Sequence, residues 1–525
     1  MKNLTLNTTL LLLSLLPWEG FAQGDKPRTS AQPNIIYILA DDLGYGDVSA
    51  FNPQSKLNTV HIDRMSKQGM KFTDAHTSSA VCTPTRYGIL TGRYNWRSRL
   101  KKGVLGGFSK SLIEPERTTV AGLLKDKGYT TGFVGKWHLG WDWQMLPQEK
   151  NIDNLDVHPT VDYAKPLTFG PNNLGFDYAY GIAGSLDMAP YVYVENGRST
   201  TIPTDTTVSV DDKGFWRKGV TGSDFNHAGV LDHFLSKSVT FIEQQADANK
   251  PFFLYFALPA PHTPILPTTK FLGKSNTNFY GDFVLQVDDL VGQIEQVLRK
   301  KGIYENTLVI FTSDNGCSPK ANFKELKNVS HDPSYIYRGH KADIYEGGHR
   351  VPFVVSWPAR IKPGSTSDQT ICTTDFFATA AEITGATLAE NMGEDSFSFL
   401  SLLDNPGSQK SVRETTVHHS IDGRFAIRKD QWKLILWPGS GGWSAPNNKK
   451  DLEGLPPYQL YDLKNDPAET KNLYAQNPAK VKELESLLKK YINDGRSTPG
   501  KAQKNDNVQK WEQLDWMGQT VSSER

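Results

Sequence analysis

The sequence predicts an α/β protein: a large, mostly parallel mixed sheet sandwiched by helices, with a smaller C-terminal α+β domain containing a short antiparallel sheet. Three observations predict it. Apolar runs of strand length recur along the first part of the chain, and each stops abruptly at polar residues. Stretches of helical apolar spacing alternate with those runs, as parallel strands joined by crossovers require. From about Asp404 the runs shorten and are separated by Gly, Asn and Pro turns.

The first run, Asn34-Ile35-Ile36-Tyr37-Ile38-Leu39-Ala40, is continuous rather than alternating, which suits a strand covered on both faces, and it ends at Asp41-Asp42. Thr130-Thr131-Gly132-Phe133-Val134 leads into Gly135-Lys136-Trp137-His138. Pro251-Phe252-Phe253-Leu254-Tyr255-Phe256-Ala257 runs towards His262, and Thr307-Leu308-Val309-Ile310-Phe311 stops before Asp314-Asn315-Gly316. Helical spacing covers 62–70, 120–127, 231–245 and 283–300. Ligands of such sheets sit beyond the carboxyl ends of the strands, where all four polar clusters fall, so the clusters are expected to converge. Further on, Phe425-Ala426-Ile427-Arg428, Trp432-Lys433-Leu434-Ile435-Leu436 and Gln459-Leu460-Tyr461-Asp462 read as antiparallel strands, and 479–491 as an amphipathic helix. The polar tail from Asp494, with Trp511 and Trp516, is expected to wrap the surface.

The chain has 525 residues, and 58 Lys and Arg stand against 57 Asp and Glu, so nothing in the overall charge favours nucleic acid or an anionic membrane. Met1-Lys2, the apolar run 10–16 and Gly20-Phe21-Ala22 have the form of a secretory signal peptide cut near Ala22, too short in its apolar core to span a bilayer. The expected location is therefore secreted or periplasmic, with no membrane span. The expected division is a leader over 1–22, a catalytic domain over 30–403, and a C-terminal subdomain with its tail over 404–525. Three cysteines, at 82, 317 and 372, are too few for a disulfide framework.

The sharpest local signal is Cys82-Thr83-Pro84-Thr85-Arg86-Tyr87-Gly88-Ile89-Leu90-Thr91-Gly92. Pro84 fits a first helical turn, which puts Cys82 at a helix N-terminus, where free N–H groups favour an anion, with Arg86 one turn on. Asp41, Asp42, Asp314 and Asn315 offer hard oxygen ligands of the kind Ca²⁺ or Mg²⁺ prefers, and no His or thiol cluster calls for zinc. Asp187, Tyr191 and His227 lie in an irregular region over 141–227, rich in Gly, Pro and aromatics, and are candidates to contact substrate. His418-His419 and the Gly439-Ser440-Gly441-Gly442 loop carry no assignment.

The segment from Cys82 to Gly92 resembles the modification signature of the type I, formylglycine-dependent sulfatases, arylsulfatase-like members of the alkaline-phosphatase-like superfamily. The resemblance implies that a formylglycine-generating enzyme oxidises Cys82 to formylglycine, and that Asp41, Asp42, Asp314 and Asn315 hold one divalent cation, Ca²⁺ or alternatively Mg²⁺, that also touches residue 82. Gly135-Lys136-Trp137-His138-Leu139-Gly140 is similar to a family motif in which Lys binds sulfate and His faces the formylglycine hydroxyls. His262 and Lys341, the latter before Glu346-Gly347-Gly348-His349-Arg350-Val351-Pro352, match family positions that touch the ester. The chain departs from many relatives at Asp375-Phe376-Phe377-Ala378-Thr379, where a helix start is expected.

A sulfate monoester gathers negative charge on its bridging oxygen as the S–O bond breaks, so a site needs positive charge and a proton donor. Lys136, Lys341, Arg86 and the cation meet the first need, and His262, alone or with Lys341, the second. By resemblance, one hydroxyl of the hydrated aldehyde attacks sulfur, and His138 deprotonates the other to expel sulfate. Export and a loop-rich, aromatic pocket favour a sulfated saccharide as substrate over small aryl sulfates. Phosphate or phosphonate ester hydrolysis and non-catalytic binding of sulfated glycans are the competing readings.

Overall fold

The structure is a computed structural model and describes residues 32–145, 158–211, 214–506 and 511–517, with the single positions 1 and 155. The leader expected over 1–22 lies, apart from Met1, outside the described residues. Residues Pro33–Arg525 make one unit.

The main sheet has ten strands among the described residues. In chain order they are β1 (Asn34–Ala40), β2 (Met70–Phe72), β3 (Thr130–Lys136), β4 (Tyr178–Ile182), β5 (Val194–Glu195), β6 (Arg198–Ser199), β7 (Phe252–Ala257), β8 (Thr307–Ser313), β9 (Phe353–Ser356) and β10 (Ser365–Ser367). Their spatial order is β10-β2-β9-β8-β1-β7-β3-β4-β5-β6. The five central strands from β8 to β4 run parallel, with Tyr37 of β1 set between Ile310 and Tyr255. Antiparallel pairs at both edges make the sheet mixed.

Seven of the helices frame the cores: α1 (Val60–Gln68), α2 (Cys82–Thr91), α3 (Val120–Asp126), α4 (Val230–Asp247), α5 (Phe279–Lys300), α6 (Phe376–Thr384) and α7 (Pro478–Asp494). Side-chain alternation along β7 assigns the faces. Phe252 meets Phe241 of α4 at 5.9 Å between ring centroids, and its neighbour Phe253 meets Phe376 of α6 at 5.8 Å. Helices α1 and α4 pack on α5, and α2 and α3 pack on α6, so the sheet is covered on both faces. That explains why β1 and β7 carry continuous apolar runs: nearly every side chain is buried. The segment after Asp375 does begin a helix, α6, entered through a turn at Thr373–Asp375.

Strands β11 (Thr415–His419), β12 (Phe425–Lys429), β13 (Trp432–Ile435) and β14 (Gln459–Asp462) form an antiparallel meander in that order. Leu484 and Leu488 of α7 pack on Ile427 and Leu434 of this sheet, and Tyr94 and Trp96, just beyond α2, enter the same core. The tail does more than wrap. Trp511 fills this second core beside Trp96, and Lys101 lies 3.9 Å from its ring.

The tail is also anchored through Arg97. Its guanidinium donates to both oxygens of Asp395 at 2.8 and 2.9 Å, to Tyr491 O at 2.9 Å and to Asn505 Oδ1 at 3.0 Å; Arg97 and Asp395 are fully buried. Burial alone would raise the Asp395 carboxyl, but Arg97 and the donors from Tyr94 and Ser497 hold it below its usual value. Arg97→Met leaves that carboxylate uncompensated and is expected to cost about 3–5 kcal/mol at neutral pH, measured as a shift in the urea midpoint. A depressed folded-state value stabilises above the unfolded pKa of about 3.9 and is lost as the pH falls through the folded value, so the deficit narrows in acid.

Candidate active site

The carboxyl ends of β1, β8, β3 and β7 lie side by side, and each delivers polar residues to the same place. Asp41 and Asp42 follow β1, Asp314 and Asn315 follow β8, Lys136 ends β3 with His138 two residues on, and His262 lies five residues past β7. Backbone hydrogen bonds cross-link these exits: Asp41 N donates to Ala260 O, and Asp314 N to Ala40 O. Asp42 turns the chain with φ 66° and His138 with φ 55°, left-handed values that few non-glycine residues adopt.

Helix α2 starts at Cys82 after Val81, whose extended backbone ends the approach from β2. No side chain caps this end and Pro84 has no N–H, so the first amides are left for another partner. Leu105 N donates to Thr83 Oγ1 at 3.2 Å, which ties the helix start to the loop whose Leu105 O accepts from His138 Nε2 at 2.7 Å.

One ligand atom each from Asp41, Asp42, Cys82 and His262 lies within 4.8 Å of the others. Around them the ion pairs are short. Lys136 Nζ donates to Asp41 Oδ2 at 2.6 Å, Lys341 Nζ to Asp42 Oδ2 at 2.8 Å, and Arg86 to Asp314 Oδ2 through Nε at 3.0 Å and Nη2 at 2.7 Å. Asn315 Nδ2 donates to Asp42 Oδ1 at 2.7 Å. The site is recessed: Cys82 is 2% exposed, Lys341 5% and His262 8%, while Asp41, Lys136, His138, Asp314 and Asn315 are at 0%.

Burial alone would raise Asp41, yet Lys136, His262, Arg86 and Lys341 hold it well below the carboxylate range. Asp314 goes the other way, pushed up to about 7 by burial and by the Asp41 charge despite its Arg86 partner. Burial pushes the Cys82 thiol up to about 12, against the pull of Lys136 and Lys341. His138 is held neutral by burial and by Lys136 and Arg86. With Nε2–H given to Leu105 O, its Nδ1 is buried with no hydrogen-bond partner.

The donor set fits a hard divalent cation. Asp41 Oδ1 and Asn315 Oδ1 are buried acceptors with no hydrogen-bond partner among the described residues, Arg86 Nη2 approaching Asp41 Oδ1 only to 3.7 Å, and they lie beside crowded carboxylates. Such orphaned oxygens are costly unless something positive meets them.

A family model for sulfatases matches residues 33–386, well over half of the chain. The chain belongs to the sulfatase family. A second model, N-sulphoglucosamine sulphohydrolase, C-terminal, matches residues 339–498. The sulfatase is 35% identical over 521 residues to N-acetylgalactosamine-6-O-sulfatase of Bacteroides thetaiotaomicron, covering 91% of this chain and 98% of that one. It is 31% identical over 478 residues to human arylsulfatase A, covering 87% and 86%. A solved 6S-sulfatase structure from work on metabolism of multiple glycosaminoglycans by Bacteroides thetaiotaomicron superposes with TM-score 0.76 at 34% identity, covering 88% of this chain and 99% of that one. The protein is a sulfuric ester hydrolase with the alkaline-phosphatase-like fold of its family.

Sequence reasoning missed how the sulfatase supports these residues. Tyr280 of α5 donates to Asp42 O at 3.1 Å and to Asp47 Oδ2, and Asp47 Oδ1 pairs with His331 Nε2 at 2.9 Å. The unassigned C-terminal segments are part of the same support. His419 O accepts from Ala80 N and Ser79 Oγ, clamping the approach to Cys82. Ser440 O accepts from Ile344 N, and Asp343 accepts from Trp443 N and Ser444 N, so the glycine-rich loop braces the segment that carries Lys341. These partners are far apart in sequence, and no local pattern marks them.

Beneath the site His76, His349 and His418 cluster with Asp74, Glu346 and Lys433. The His349 and His418 rings stack 3.8 Å apart at 8°. Parallel rings direct their in-plane lone pairs side by side, so the pair is built for packing rather than for joint chelation.

The remaining candidates stand in the loops past β4. Asp187 accepts from Arg217 Nη1 at 2.6 Å. Tyr191, 1% exposed, gives its hydroxyl proton to Arg217 O at 2.6 Å. His227 is half-buried and stacks on Trp216 at 4.0 Å, and burial lowers its pKa to about 4. Cys82, Cys317 and Cys372 are all free thiols. No helix among the described residues is long and apolar enough to cross a membrane.

Proposed function

We propose that this sulfatase releases inorganic sulfate from a sulfated carbohydrate outside the cytoplasm, using Cys82 oxidised to formylglycine by a formylglycine-generating enzyme and one Ca²⁺ held by Asp41, Asp42, Asp314, Asn315 and residue 82. The observation that carries this reading is the convergence of Asp41, Asp42, Cys82 and His262 on one point, ringed by Lys136, Lys341 and Arg86. The saccharide follows from the relatives: the N-acetylgalactosamine-6-O-sulfatase aligns over nearly its whole length. A thiol pushed up to about 12 is a poor nucleophile as it stands, which supports its conversion.

When present, the hydrated aldehyde supplies a nucleophilic oxygen and a second hydroxyl for its own regeneration, and the cation supplies charge against the ester oxygens. The other work falls to ordinary side chains. Lys136 and Lys341, buried and charged, draw the sulfate oxygens inward and stabilise charge that builds in the transition state. Arg86 spans Asp314 and Lys136 O, and so fixes the acid and the strand end together. His138, held neutral and with its Nδ1 unpartnered among the described residues, is assigned to take a proton from a hydroxyl on residue 82. His262 gives its Nδ1 proton to Thr263 O at 2.6 Å, which turns Nε2 towards Asp42 Oδ2 at 3.7 Å. Protonated there, it can hand a proton to the departing alcohol.

The test is a screen of sulfated mono- and oligosaccharides for released sulfate, with the Cys82 peptide weighed for the aldehyde. Sulfate release with no aldehyde, or none from any saccharide, overturns the reading. His262→Ala is expected to lower kcat by about 10²–10⁴ for sugar alcohols, and less for a sulfated phenol whose leaving group needs no proton. Equal losses on both would remove His262 as the proton donor.

A further inference from the structure

Asp42 is held in an uncommon backbone conformation. Its φ of 66° is left-handed, which a non-glycine residue keeps only where its surroundings over-determine it. Three contacts fix the peptide groups on either side of it. Asp42 N donates to Asp314 Oδ1 at 3.3 Å, Leu43 N donates to Ser313 Oγ at 3.0 Å, and Asp42 O accepts from Tyr280 Oη at 3.1 Å. The first two partners belong to the end of β8, beside the site. The third comes from α5, and a chain of buried side chains stands behind it.

Tyr280 has one proton to give, shared between Asp42 O and Asp47 Oδ2. Burial and the Asp47 charge push its hydroxyl well above the ordinary value, so the proton stays in place. Asp47 Oδ2 also accepts from Gly44 N at 2.7 Å, and Asp47 Oδ1 accepts from His331 Nε2 at 2.9 Å. Lys56 N donates to His331 Nδ1 at 3.3 Å, which puts the ring proton on Nε2, towards Asp47. Tyr280, Asp47 and His331 are all buried.

The segment that carries His331 is seated on the loop that leaves β1. Gly46 N donates to Pro333 O at 2.7 Å. A Cβ at Gly44 would meet Pro333 O at 2.3 Å, and one at Gly46 would meet Asp332 O at 2.2 Å, so only glycine permits the approach. The same segment runs on to Lys341, whose Nζ donates to Asp42 Oδ2 at 2.8 Å. It therefore grips Asp42 twice, at the carboxylate directly and at the backbone through Asp47 and Tyr280.

We propose that His331, Asp47 and Tyr280 form a positioning relay that keeps Asp42 in its left-handed turn and thereby sets how tightly the site binds its divalent cation. The inference rests on the cation reading of the site and deepens it. None of the three supplies a ligand atom to the group formed by Asp41, Asp42, Cys82 and His262, so they act through Asp42. A carboxylate whose backbone can relax must be re-aimed each time the cation binds, and that cost is read as weaker affinity.

The test is a calorimetric titration of Ca²⁺ into the chelated, full-length enzyme bearing formylglycine, with the urea midpoint of the chelated protein as a separate measure of stability. Tyr280→Phe and His331→Leu are each expected to raise the Kd for Ca²⁺ about tenfold. The double variant is expected to stay near tenfold, because both changes break one chain, where independent effects would multiply towards a hundredfold. His331→Gln, whose amide can still donate to Asp47, is expected to return the Kd close to the wild-type value. Should Tyr280→Phe not fold, the two His331 variants decide, since His331 stands at the wall of an open cleft of about 360 Å³ where the exchange has room. Single variants that lower the urea midpoint but leave the Kd unmoved overturn the relay, as do a multiplying double variant or equal Kd values for His331→Leu and His331→Gln. Absence of Ca²⁺ binding by the wild type overturns the cation reading as well.

Discussion

In Cys82→Ala, sulfate release is expected to fall by about a thousandfold or more, because the residue proposed to bond to sulfur is gone while the surrounding charges remain. The side chain touches little beyond its neighbours in the recess, so the fold should survive, and a near-wild-type urea midpoint verifies that. Cys82→Ser is the sharper variant. Its hydroxyl sits in the same field of Lys136, Lys341 and Arg86, so a first attack is feasible, but a serine sulfate ester has no second hydroxyl through which to break down. A burst of at most one sulfated alcohol cleaved per enzyme, then arrest, is the expected trace. Steady turnover by either variant would end the formylglycine reading.

Removing the divalent cation with a chelator is expected to stop turnover as fully, and to lower thermal stability as well. Asp41 Oδ1, which Arg86 Nη2 approaches only to 3.7 Å, and Asn315 Oδ1 then have no hydrogen-bond partner among the described residues, and Asp314 stays crowded against Asp41. A ligand that binds only the folded state at a hundred times its Kd adds about 2.7 kcal/mol. Returning Ca²⁺ should restore rate and melting temperature together, along one titration curve. In Asn315→Ala, which removes an acceptor without stranding a lysine, that curve should shift to higher Ca²⁺. Full activity in the chelated enzyme, or a Ca²⁺ response identical in Asn315→Ala, would refute the assignment.

The parts of the molecule legible in the sequence are those fixed by local chemistry. The runs in β1, β7 and β8 announced buried strands because both faces of each are covered, and their abrupt polar ends announced where the site lies. Pro84 placed the start of α2. What stayed hidden depends on distant partners. Strands β5 and β6 have two residues each and exist only because β4 offers an edge. The path of 141–227 is set by contacts such as Arg217 with Asp187 and Trp216 with His227, which no periodicity encodes. The bracing of Cys82 by His419, and of the Lys341 segment by Ser440 and Ser444, joins segments some hundred residues or more apart. Trp511 looked like a surface residue of a polar tail until its place beside Trp96 was known.

The wound first turn of α2 fixes an order of events. Residue 82 is locked at a buried helix start, fastened on one side by His419 and on the other by the Leu105 loop, and a separate oxidising enzyme could not grip it there. If Cys82 is oxidised as proposed, that step has to come while the strand is still slack, before the C-terminal sheet docks. On that reading, chains that close first would keep a thiol, and the yield of working enzyme would be decided by a race between two clocks, one chemical and one conformational.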